Sequence, residues 1–108
     1  MLVFCQSPVM DTPGVSLDEI MNAYKLGEAV QGLHLLCCDA KASPMLLILS
    51  MKEAMKQFYA DRRLKVVGMA FDAADARRLL AEMIAAYAAA GRDVAAFKKH
   101  CLGLEERE

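Results

Sequence analysis

No apolar run in this chain approaches the ~20 residues that a bilayer-spanning helix needs; the longest, Met45 to Leu49 and Met83 to Ala90, stop far short. The expectation is therefore a chain without a membrane span. The opening residues, Met1-Leu2-Val3-Phe4-Cys5-Gln6, have neither a basic region nor an apolar core of ~7 or more residues, so nothing there reads as a secretory signal. The expected compartment is the cytoplasm. An excess of one charge is also missing, since 13 Lys and Arg face 14 Asp and Glu for a net of −1. Neither a strongly basic nor a strongly acidic partner is implied.

The sequence is equally short of chemical motifs. It has no Gly-x-Ser-x-Gly elbow, and Ser16, Ser43 and Ser50 read as caps or turn residues. It has no Cys-x-x-Cys pair to anchor a metal. If Leu33 to Cys38 is a strand, His34 and Cys37 point to opposite faces. His34 and Cys38 share a face but stand ~13 Å apart, too far for one ion. His100 and Cys101 are neighbours on a helix and diverge. No phosphate loop is present, because Gly68 is the only glycine in its strand-to-helix segment and Asp72 would repel an anion there; Gly68 is expected to let a helix approach the strand. Asp72 and Asp75 lie where capping and the helix dipole favour carboxylates. Neither catalytic residues nor a metal or cofactor is expected, and Cys5, Cys37, Cys38 and Cys101 are expected to be reduced structural thiols.

What remains is a packed domain. The chain is 56% hydrophobic and 25% charged over 108 residues, which excludes general disorder, and a chain of this size buries roughly 65% of its unfolded surface. Ser16-Leu17-Asp18-Glu19 forms a capping box, Val15 and Ile20 a hydrophobic staple, and Leu17, Ile20, Met21 and Tyr24 one apolar helical face that ends at Gly27. Leu33 to Cys38 and Met45 to Leu49 read as two strands. In the rival reading Ser43 caps a helix that runs from Pro44 to Arg62. The strand is preferred because Ser50-Met51-Lys52-Glu53 is a second capping box, from which Met51, Ala54, Met55 and Phe58 continue on one helical face. Leu64 to Phe71 is a third strand. It feeds a helix capped by Asp72, with Ala76, Leu79, Leu80, Met83, Ile84 and Tyr87 as its stripe and Gly91 as its end. Asp93 caps a short last helix with Val94, Phe97 and Cys101 inward.

The spacing thus predicts an α+β fold, a small three-stranded mixed sheet in the order α-β-β-α-β-α-α with helices packed on it. Leu2 to Cys5 would be a fourth, edge strand or an ordered tail, and Ser7 to Gly14 a loop. The first two core strands should form an antiparallel hairpin, and the second and third should run parallel. Residues 1–104 form the expected domain and 105–108 a frayed, charged tail.

The core strands are apolar on both faces: Met45, Leu47 and Leu49 against Leu46 and Ile48, then Val66 and Ala70 against Val67, Met69 and Phe71. A sheet wetted on one side alternates instead, so both faces need a cover. The expected function is that of a small non-enzymatic protein-interaction module that self-associates, as a homodimer for example, or docks onto a larger protein. The eight methionines suggest Met51, Met55, Met69 and Met83 as lining for a partner groove. The alternative is a nucleic-acid-associated regulator that uses Arg62, Arg63, Lys65, Arg77 and Arg78. Against it stand the offsetting acids Asp61 and Glu82 and the lack of interleaved aromatic residues.

Overall fold

The computed structural model describes residues 1–42 and 44–107. It shows a mixed sheet of four strands, β1 (Leu2–Asp11), β2 (His34–Cys38), β3 (Leu47–Ser50) and β4 (Leu64–Ala70), in the order β1-β4-β2-β3. The helices are α1 (Leu17–Lys25), α2 (Met51–Ala54), α3 (Ala73–Ala89) and α4 (Phe97–Leu102), with single 3-10 turns at Gln57–Tyr59 and Val94–Ala96. Among the described residues no helix is long and apolar enough to cross a membrane.

The helix starts follow local chemistry. Ser16 accepts from the Glu19 amide and Glu19 reaches back to Ser16, Ser50 accepts from the Glu53 amide, and Asp72 accepts from the Asp75 amide. Each such cap is worth about 1 kcal/mol. Gly27 and Gly91 follow the helix ends with φ of 74° and 81°, a conformation that costs a side chain dearly.

β2 and β3 form the expected antiparallel hairpin. β4 lies beside β2, antiparallel to it, so β3 and β4 run in the same direction with β2 between them. The strand at Leu47–Ser50 rules out the long helix from Pro44; Ser43 lies outside the described residues. The first strand is longer than its sequence suggests, because Ser7 to Asp11 is strand and not loop. Leu2 to Phe4 pair in parallel with Leu64 to Val66, and Val9 to Asp11 with Gly68 to Ala70, so that Cys5 to Pro8 bulge out opposite Val67 alone. Pro8, which has no N–H to give a ladder, sits within that bulge, which is unpaired on its β4 side. Gly68 permits close packing of strands, not of a helix: a Cβ there would stand 2.8 Å from the Leu36 side chain and 3.4 Å from the Val9 carbonyl.

Helices cover the sheet on both sides. On one, Ile20 of α1 and Met51 and Ala54 of α2 pack on Leu2, Phe4, Leu35, Cys37, Leu64, Val66 and Met69. On the other, Ala76 and Leu79 of α3 and Phe97 and Cys101 of α4 pack on Cys5, Leu36, Cys38, Val67 and Ala70. The chain itself thus supplies the cover that its two-sided strands demand. The C-terminal segment is also docked: the Gln6 amide donates to the Glu105 carbonyl and the Arg107 amide to the Phe4 carbonyl, pairing 105–107 with the outer edge of β1 where a frayed tail was expected.

Candidate functional site

The four methionines expected to line one groove lie in different places. Met51 and Met69 are fully buried under α1. Met55 is half-buried at the mouth of a cleft beside α1, and Met83 lines a separate cleft on the opposite side of the sheet. The methionines expected to line one partner groove are core packing at two positions and walls of two separate clefts at the others.

The basic residues do not form one surface either. Arg62 and Arg63 precede β4, whereas Arg77 and Arg78 lie beyond its far end, about 20 Å along a strand of this length. Acids hold several of them. Arg62 Nη2 lies 2.5 Å from Asp39 Oδ2, Arg63 pairs with Glu106, and Arg78 pairs with Asp75 at 2.8 Å and Asp11 at 3.6 Å. Lys65 is fully buried and donates to the carbonyls of Leu102, at 2.9 Å, and Leu104, so its charge pins the C-terminal segment and faces no solvent.

A surface that the sequence did not reveal lies at the C-terminal end of α1. Met1, Leu26 and Phe58 are 51%, 73% and 74% exposed, whereas large apolar side chains are normally covered. Met1, Lys25, Gly27, Met55, Lys56 and Ala60 line one cleft of about 350 Å³; Leu26 lies between two of these residues in the chain, and Phe58 between Lys56 and Ala60. Phe58 was expected on the inner face of a helix. That helix ends after Ala54, and Lys56 takes an extended conformation with ψ of 156°, which places Phe58 in the following 3-10 turn.

Phe58 is held in place. Its ring meets Tyr59 edge to face with centroids 4.9 Å apart, and the Arg62 guanidinium lies 5.9 Å from the Phe58 centroid and 5.5 Å from that of Tyr59. Arg62 is fixed by the buried Asp39, whose Oδ1 accepts the Lys41 amide at 2.9 Å. Burial works to raise the Asp39 carboxyl, but the Lys41 amide, Arg62 and Lys98 outweigh it and hold it below the ordinary aspartate range. A buried carboxylate, a cation, the half-buried Tyr59 and the exposed Phe58 thus form one ordered chain of contacts.

The second cleft, also about 350 Å³, opens between α3, α4 and the β1 bulge, with Val9, Val67, Met83, Tyr87 and Phe97 among its walls. Tyr87 meets Phe97 edge to face at 5.3 Å and the His100 ring at 5.1 Å. Cys101 lines the cleft while remaining buried, hydrogen-bonded to Cys38. The bond lowers Cys101, burial opposes that, and the Lys65 charge assists it; the same bond, and then burial, pushes Cys38 up. Cys37, on the other face of β2, is raised by burial and then by the Asp39 carboxylate, to about 12. His34 is half-buried and donates from Nδ1 to the Gly32 carbonyl at 3.0 Å. Among the described residues, no three His, Cys, Asp or Glu side chains are placed to hold a metal ion. Compared with known proteins, the chain matches no family model, no curated protein and no solved structure.

Proposed function

We propose that this protein is a small non-enzymatic interaction module that self-associates through the patch around Leu26 and Phe58. The observation that carries the reading is three strongly exposed large apolar side chains, of which Met1 lines the cleft while Leu26 and Phe58 lie in the chain between residues that line it. Exposed apolar side chains grouped near one cleft favour an interaction site, and aromatic residues and arginine are enriched among the few positions that dominate binding energy. A second copy suits the rim. Lys25 and Lys56 line the cleft, and the exposed acids Glu28 and Asp61 each follow one of its lining residues in the chain. A two-fold interface brings each patch against itself, so it needs both signs of charge on one surface.

Face-to-face sheet packing is not needed for this association, since the chain's own helices cover both faces. The nucleic-acid alternative gains nothing from the geometry, which separates Arg62 and Arg63 from Arg77 and Arg78 and buries Lys65.

Light scattering behind size exclusion tests the proposal. At high micromolar concentration the wild-type chain should show twice the chain mass, and Phe58→Glu and Leu26→Glu should each restore the single mass with an unchanged melting temperature. A wild-type protein that stays monomeric, or a dimer indifferent to both substitutions, would refute it.

A further inference from the structure

The cleft beneath α3 and α4 lies across the sheet from the association patch, and its construction points to a ligand of its own. Its volume, about 350 Å³, falls at the lower end of the range that holds small organic molecules. Val9, Met83, Tyr87, Phe97 and Leu104 make its body apolar.

The polar groups at this cleft favour an anion. Arg92 and His100 both line it, and Arg92 Nη1 lies 3.3 Å from His100 Nδ1. A guanidinium can only donate, so Nδ1 is the acceptor and the imidazole proton resides on Nε2, leaving that N–H as a further donor. The Arg92 guanidinium also lies 5.4 Å from the Tyr87 ring centroid, which restricts its orientation. Among the described residues Arg62, Arg63, Arg78 and Arg107 each pair with a carboxylate, whereas Arg77 and Arg92 pair with none, and of these two only Arg92 lines the cleft. The adjacent acid is engaged elsewhere: Asp93 Oδ1 accepts the Ala95 amide at 3.0 Å. An arginine fixed by an aromatic ring and an imidazole, with most of its five N–H donors uncommitted, is suited to a planar carboxylate.

We infer that this cleft binds a small amphipathic carboxylate, a medium-chain alkyl or aryl acid whose apolar body lies against Met83, Tyr87 and Phe97 and whose carboxylate accepts from Arg92. The matching alcohol keeps the apolar contacts and loses the ion pair. The matching ammonium places like charge against the guanidinium.

Methyl NMR titrations of the wild-type chain with octanoate, phenylbutyrate, octanol and octylammonium separate these contributions. Octanoate should shift the Val9, Met83 and Leu104 methyl signals saturably, and octylammonium should bind at least about tenfold more weakly. Arg92 is exposed, so Arg92→Gln should fold normally while it weakens octanoate about tenfold and leaves octanol unchanged. Ala86→Trp, placed on an exposed wall of the cleft, should remove the shifts from both. Comparable saturation by phenylbutyrate would extend the site to aryl acids, and its absence would restrict the site to alkyl chains. Shifts that never saturate, equal affinity for octanoate and octylammonium, or an octanoate affinity indifferent to Arg92→Gln would overturn the inference.

Discussion

The two sides of the sheet solve the same packing problem differently. Beneath α1 the central side chains interlock, with Ile20, Leu35, Cys37, Met51, Leu64, Val66 and Met69 each 0% exposed, and the cleft on this side lies at the rim beside Lys25 and Lys56. Beneath α3 and α4 the helices meet the sheet less completely. They leave a cleft, a pair of buried thiols that perturb one another and a buried lysine that spends its charge on the carbonyls of the C-terminal segment. The sealed side stabilises the fold, and polar chemistry gathers where packing is loose, because unfilled space next to buried polar groups is what a ligand or a reagent can exploit.

Truncation should separate the two sides most strongly. Met69→Ala on the sealed side opens a cavity its neighbours cannot fill and is expected to cost about 3 kcal/mol, whereas Met83→Ala enlarges a cleft that is already open and should cost about 1 kcal/mol or less. Urea unfolding measures both, and equal losses would erase the distinction. Lys65→Met comes next. It removes the donor to the Leu102 and Leu104 carbonyls and should cost about 2 kcal/mol. Hydrogen exchange should speed up selectively at the Gln6 and Arg107 amides, which tie the terminal segment to β1.

The thiols extend the contrast to pH. Free Cys37 ionises at its ordinary 9.0, but the folded protein keeps it protonated to about 12. Between those values the native state holds a proton that the unfolded state has lost. Stability is therefore undiminished by this group below pH 9 and falls above it by about 1.4 kcal/mol per pH unit. Cys37→Val should flatten the alkaline limb by that amount. In native alkylation followed by mass spectrometry, Cys101, lowered and lining a cleft, should react before Cys37; the reverse order would mean that the sealed side opens more readily than the structure implies. The smallest effect on stability belongs to the patch: Phe58→Glu, at an exposed position outside both cores, should change the unfolding free energy of the monomer by less than about 0.5 kcal/mol.

What could be read from the sequence was local. The caps at Ser16, Ser50 and Asp72 depend on residues three positions away, so they were visible, as was the demand for cover on both faces of the strands. The second half of β1 was not, because its partners in β4 are distant in the chain and Pro8 suggests a loop unless the bulge that accommodates it is known. Phe58 continued a helical spacing beyond the point where the helix stops, which disguised an exposed residue as core. Lys65 read as a surface charge because nothing in the sequence announces carbonyls from the far end of the chain. Asp39, the anchor of Arg62 and through it of Phe58, looked like an ordinary loop residue for the same reason.

Hydrogen exchange compared at dilute and at high micromolar protein tests the location of the interface most directly. An interface at the patch gives concentration-dependent protection confined to the end of α1 around Leu26 and the 3-10 turn around Phe58, with the α3 and α4 amides unchanged. Protection that appears instead on α3 and α4, or none at any concentration, would contradict it.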